Sequence, residues 1–137
     1  MSTPSVRPKP REAPPELLVL ARFEEFCAWL LAATPRWPKR ARFTLTRRIE
    51  EHALEVLEEL VQARYERNGR AARLARVNLV LERMRRLLRL AQLTQVCSAA
   101  QFESACRGLD EVGRMLHGWR TSLGERPRPA PGEERVE

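Results

Sequence analysis

The amino-acid sequence predicts an all-α fold, an antiparallel up-and-down bundle of four helices. Three observations carry that prediction. Apolar residues recur at alternating steps of three and four through four successive stretches, the spacing that lines one side of a helix. Helix stops or starts separate the stretches, at Thr34-Pro35, Asn68-Gly69 and Ser98. The turn at Asn68-Gly69 is tight, so the helices on either side must run back along one another. At 137 residues the chain has room for one such domain and its core, and not for two.

Residues 1–15 hold Pro4, Pro8, Pro10, Pro14 and Pro15 among charged and small residues. Such a segment has too little apolar surface to offset its ordering entropy and is expected to be a disordered arm. The bundle domain is expected over 16–123. Helix one runs from near Glu16 to Ala33, with Leu20, Phe23, Cys27 and Leu30 as its seam. Thr34-Pro35 ends it, because a residue before proline is pushed out of the α region. In the linker TPRWPKRAR, Trp37 stands among prolines and basic residues. It is expected to close the open end of the bundle rather than to stack on a base.

Helix two is expected over Ala41 to Arg67. Thr46, Ile49, Ala53, Val56, Leu60 and Ala63 form its seam, widened by Leu54, Leu57 and Val61. Its charges are polarised. Arg40, Arg42, Arg47 and Arg48 come first, followed by Glu50, Glu51, Glu55, Glu58 and Glu59. Cations at a helix N-terminus oppose the macrodipole, and a local rule broken without a gain in stability points to a functional demand. The glutamates are expected to pair with arginines of a neighbouring helix. Asn68-Gly69 then stops the helix, since both residues tolerate the left-handed conformation.

Helix three, Arg70 to Gln95, organises the rest. Leu74, Val77, Leu81, Met84, Leu88 and Ala91 make one continuous seam. At about 100° per residue, Leu79 and Leu90 fall nearly opposite that seam, and Leu87 lies roughly 90° from it. Arg76, Arg83 and Arg86 sit among them. A helix apolar on two sides must be covered on two sides, so Leu79, Leu87 and Leu90 are the candidate oligomer interface. Helix four starts at Ser98, which has capping-box spacing to Gln101, and its seam is Phe102, Ala105, Leu109, Val112, Leu116 and Trp119. Gly108, Gly113 and Gly118 each cost about 1 kcal/mol of helix propensity and suggest close approach of another helix. From Gly124 to Glu137 the Pro-rich charged tail is expected to be disordered.

Composition narrows the function. The net charge of +7 and a pI near 10.5 favour an acidic partner, with nucleic acid ahead of an anionic membrane. Cys27, Cys97 and Cys106 are odd in number, follow no metal-ligand spacing, and read as buried thiols of a reducing cytoplasm. The N-terminus lacks the apolar core of a signal peptide, and no apolar run reaches the roughly 18 residues of a membrane span. A cytoplasmic protein is therefore expected. His52 and His117 are the only histidines, and neither has a Cys or carboxylate at metal-ligand spacing. There is no Gly-rich phosphate loop, no nucleophile elbow and no Glu-x-x-His pair. No enzymatic activity, metal or cofactor is expected.

Four stretches, TPRWPKRARFTLTRRIE, ALEVLEELVQARY, VNLVLERMRRLLRLA and LDEVGRMLHGWR, in this order and spacing, resemble the accessory variability determinant of diversity-generating retroelements. That family belongs to a wider group of four-helix-bundle proteins, which includes those encoded by ribosomal RNA intervening sequences. The resemblance covers about residues 17–123. It implies a bundle that assembles as a basic homopentameric barrel, binds the retroelement's reverse transcriptase and its template RNA (or DNA), and is required for adenine-mutagenised cDNA without catalysing a step. The intervening-sequence relatives imply an alternative, a structural adaptor or RNA-binding bundle with no reverse transcriptase partner. The candidate nucleic-acid or polymerase surface is Arg40, Arg42, Arg47 and Arg48 with Arg76, Arg83 and Arg86. No membrane partner is expected, because the apolar faces are committed to the bundle.

Overall fold

A computed structural model of the chain describes residues 13–124. Most of the N-terminal arm and of the C-terminal tail lies outside the described residues. The described residues form four helices: α1 (Pro15–Ala33), α2 (Arg47–Tyr65), α3 (Arg70–Leu93) and α4 (Ala99–Ser122). Helices adjacent in sequence pack on one another, and α1 and α4 close the square, so α1 lies against α2 and α4 while α3 lies against α2 and α4. This is the up-and-down bundle expected from the seams.

The seams become one core. The central seam residues of the second and third helices are all buried, from Thr46 to Ala63 and from Leu74 to Ala91. Of the residues expected to widen the helix-two seam, only Leu57 packs against the core, while Leu54 and Val61 are exposed. In α1 the buried set is Val19, Phe23, Phe26, Cys27 and Leu30, while Leu20 is only half-buried. In α4 the seam is buried except for Phe102, whose ring lies partly open under the Arg89 guanidinium at 5.8 Å. Gly108 is buried as well, and a Cβ there would lie 2.8 Å from Phe26 Cδ1. The close approach expected at the glycines therefore holds at Gly108, though a ring rather than a backbone is what approaches. Gly113 and Gly118 have no such contact.

The ends of the helices are fixed by local chemistry. Ser98 and Gln101 form the expected capping box, with the Gln101 N–H donating to Ser98 Oγ at 3.1 Å. The indole of Trp37 is buried, and its Nε1 donates to Gln101 Oε1 at 3.3 Å. Trp37 thus closes the end of the bundle, as expected.

Helix two differs from expectation at both ends. Its regular part ends at Tyr65, two residues before Arg67, where Glu66 turns extended. Gly69 then adopts φ +75° and leads directly into α3, whereas Asn68 has no left-handed conformation. Arg70 holds this corner by donating to the last carbonyls of α2, at 2.5 Å to Ala63 O and 2.9 Å to Arg64 O. At the other end of the hairpin, α3 stops at Leu93 because Gln95 takes φ 62°. Val96 N then reaches back to Ala91 O at 2.7 Å, and Gln95 N to Gln92 O at 3.0 Å.

Candidate nucleic-acid interface

The start of helix two is not regular. After a 3-10 turn at Lys39–Ala41 the chain makes a π-helical turn, Arg42–Thr46, before the α-helix begins. Ala41 and Thr46 anchor this segment in the core, and between them Phe43 stands 77% exposed. The hydroxyl of Thr46 is buried and finds no hydrogen-bond partner among the described residues. Three unfavourable features therefore coincide here: a π-turn, an orphaned hydroxyl, and cations at a helix N-terminus. Wide helical turns of this kind recur at functional sites, and this one opens a groove of about 590 Å³ against α3. Phe43, Thr44, Leu45, Arg47, Arg48 and Glu51 form one side of it, Leu87 and Leu90 the other.

The predicted site residues fall into two groups. At this open end of the α2–α3 hairpin, Arg42, Arg48, Arg83 and Arg86 are exposed and form no ion pair among the described residues. Arg47 meets only Glu51, at 3.4 Å with both side chains more than half exposed, a pair that contributes little. Arg40 donates to Thr94 O at 2.7 Å and so ties the linker to the end of α3. Arg76 belongs to the other group. It lies 3.7 Å from Glu55. Next to it Arg73 binds Glu59 at 2.9 Å and Glu66 at 3.2 Å, so the expected pairing of the helix-two glutamates holds at the turn end.

Leu79 and Leu90 are about half exposed, and Leu93, not singled out from the sequence, is more exposed still. Steps of three and four along Leu79, Arg83, Arg86, Leu90 and Leu93 put all five on one outward stripe of α3. The candidate oligomer interface and two of the candidate phosphate-binding arginines thus share one surface. Leu87 sits on the flank facing α2, where it is half-buried against the core and lines the groove.

Sequence reasoning also missed Phe43. The aromatic weighed for base stacking was Trp37, which is buried, while six residues further on Phe43 points outward between two pairs of arginines. An aromatic lying off the seam inside RARFTLTRR was the available signal.

The local field is positive. The imidazole of His52 is held below its ordinary pKa first by burial and then by Arg83, with Arg48 adding to the effect against Glu55 and Glu51. Elsewhere burial raises all three thiols, Cys27 up to about 11 with Glu24 contributing, so each is a protonated, poorly nucleophilic group near neutral pH. Among the described residues no cluster of three His, Cys, Asp or Glu side chains is placed to hold a metal ion. Among them, too, no helix is long and apolar enough to cross a membrane.

Fold and surface together define a helical scaffold, a four-helix bundle with a strip of uncompensated arginines along one hairpin end. The bAvd-like family matches residues 17–123, and the chain belongs to that family. The accessory-variability-determinant resemblance read from its four stretches is therefore met, and over the expected span. No curated protein and no solved structure matches the chain.

Proposed function

We propose that this protein is an accessory scaffold of a diversity-generating retroelement, which binds template RNA and the reverse transcriptase and supports mutagenic cDNA synthesis. It works as a closed homo-oligomer, a pentamer by analogy with the family, and catalyses no step itself. One observation supports RNA binding most: Arg42, Arg48, Arg83 and Arg86 lie exposed without carboxylate partners among the described residues, around one groove and the stripe beside it. Arginines so placed contact phosphates and give salt-sensitive affinity with little base specificity. A closed ring of more than two copies joins two different faces of each protomer, and Leu79, Leu90 and Leu93 supply the apolar part of one of them. Arg83 and Arg86 stand between Leu79 and Leu90 on the same stripe.

A filter-binding titration of single-stranded RNA across salt concentrations tests the reading. Engagement of about five phosphates weakens affinity on the order of a hundredfold between 50 and 200 mM salt. Binding that is absent even at low salt leaves the structural-adaptor alternative in its place. Light scattering that gives a monomer mass at micromolar concentration removes the ring.

A further inference from the structure

We infer that the groove between the π-turn and α3 is a stacking site for an unpaired base of single-stranded nucleic acid, with Phe43 as the platform. The inference rests on the RNA-binding reading above and names a subsite within it. Its basis is the pairing of two features that rarely coincide on a surface. Phe43 is 77% exposed although the same stretch buries Ala41 and Thr46, so its position is set by the backbone rather than by loose packing. The groove beside it, about 590 Å³, falls within the range of sites that hold a flat ring, and Leu87 and Leu90 give it an apolar far wall.

Arg47 and Arg48 stand on the same edge as the ring, one turn further along the chain. A nucleotide needs this combination: an apolar face for the base, and cations within a few ångströms for the phosphates on either side. Duplex nucleic acid keeps its bases stacked on each other and has no free face to offer, so the groove selects single strands. An apolar side chain of the polymerase is the competing occupant, but Arg42, Arg47 and Arg48 outnumber the one carboxylate of the groove, Glu51, and favour an anion over a peptide.

The full chain is titrated with a single-stranded RNA carrying 2-aminopurine, and with an RNA duplex of the same length, for wild type, Phe43→Ala and Phe43→Trp. The expected result is that Phe43→Ala weakens single-strand affinity about tenfold, abolishes the 2-aminopurine quenching, and leaves both the duplex affinity and the salt slope unchanged. Phe43→Trp restores quenching and affinity. An exposed side chain is not needed for folding, and equal helical content and melting midpoint of the variants verify that. If wild type binds RNA but Phe43→Ala binds single strand and duplex as tightly as wild type does, the stacking site is wrong and the RNA reading stands. If Phe43→Ala keeps its RNA affinity but fails to retain the reverse transcriptase, the groove belongs to the protein partner and the inference is overturned. If wild type binds neither RNA, the reading on which it rests has failed.

Discussion

The two ends of the α2–α3 hairpin use the same residue, arginine, in opposite ways. At the turn end, Arg70 binds the last carbonyls of α2 and lies over the Trp119 ring at 6.0 Å. Arg73 bridges Glu59 and Glu66, and Arg76 meets Glu55. Each has a partner, and the partners lie on α2 or α4 or in the turn. At the open end the π-turn and the same two helices present Arg42, Arg48, Arg83 and Arg86 with no carboxylate partner among the described residues, around an exposed phenylalanine. The difference arises in the charge order of helix two. Its arginines precede its glutamates, so the hairpin geometry sets the glutamates beside the first turns of α3 and leaves the arginines beside its last ones. Arg70 and Arg73 at the turn end are part of the fold, and Arg76 adds only an exposed, weak pair. At the open end the arginines repel one another, and those at the start of helix two also oppose its dipole, so they need a reason outside the fold.

The largest effect expected is common to both ends. Leu81 is fully buried at the centre of α3, and Leu81→Ala costs about 2–5 kcal/mol through lost transfer energy and the cavity left behind. Chemical denaturation reads this loss, and RNA binding and unfolding should suffer together. A smaller effect is confined to the turn end. Arg73 and Glu59 are three-quarters covered, so Arg73→Ala removes charge-assisted hydrogen bonds worth about 1–3 kcal/mol and lowers the denaturation midpoint. RNA affinity of the protein that remains folded should be unchanged. A similar fall in affinity for Arg73→Ala would erase the distinction between the ends.

The smallest effect is a shift in one proton equilibrium at the open end. Because the folded state holds His52 below its usual pKa of about 6.5, the unfolded chain binds the proton more tightly. The contribution to stability is thus complete above about pH 6.5 and declines as pH falls below it. Burial is the main cause of the lowered pKa, and phosphates laid over Arg48 and Arg83 would offset the smaller contribution of those two cations. An NMR titration of the two histidines should show the His52 pKa rising when RNA is added, and RNA binding strengthening as pH falls toward 6. His52→Gln should abolish that strengthening. No change in the His52 titration would place the RNA away from this surface.

Most of the fold could be read from the residues, because heptad spacing and stop signals are properties of single helices. The seams Thr46, Ile49, Ala53, Val56, Leu60, Ala63 and Leu74, Val77, Leu81, Met84, Leu88, Ala91 are legible for that reason. What escaped depended on neighbours. Phe26 and Val80 are buried by helices that approach from the side of the seam, and the space for Phe26 exists because Gly108 lies opposite. That Arg76 meets a carboxylate while Arg83 and Arg86 meet none among the described residues could not be told from spacing, since the register between α2 and α3 decides which arginine meets Glu55. The π-turn was also illegible. RARFTLTRR shows misplaced cations but no signal for a wider turn, and the burial of Ala41 and Thr46 on either side of the exposed Phe43 is a property of the packed structure.

Charge reversal at the open end tests the contrast between the two ends most directly. Arg83→Glu combined with Arg86→Glu changes two exposed, unpaired side chains on a helix whose core stays filled. Calorimetry, light scattering and RNA binding are measured on one preparation of the variant and one of wild type. The expected result is unchanged helical content, cooperative unfolding within about 0.5 kcal/mol of wild type, and RNA affinity reduced by more than tenfold. A variant that dissociates or melts early, while its surviving oligomer binds RNA as tightly as wild type, would show that these arginines hold subunits together and that the open end is not the RNA-binding surface.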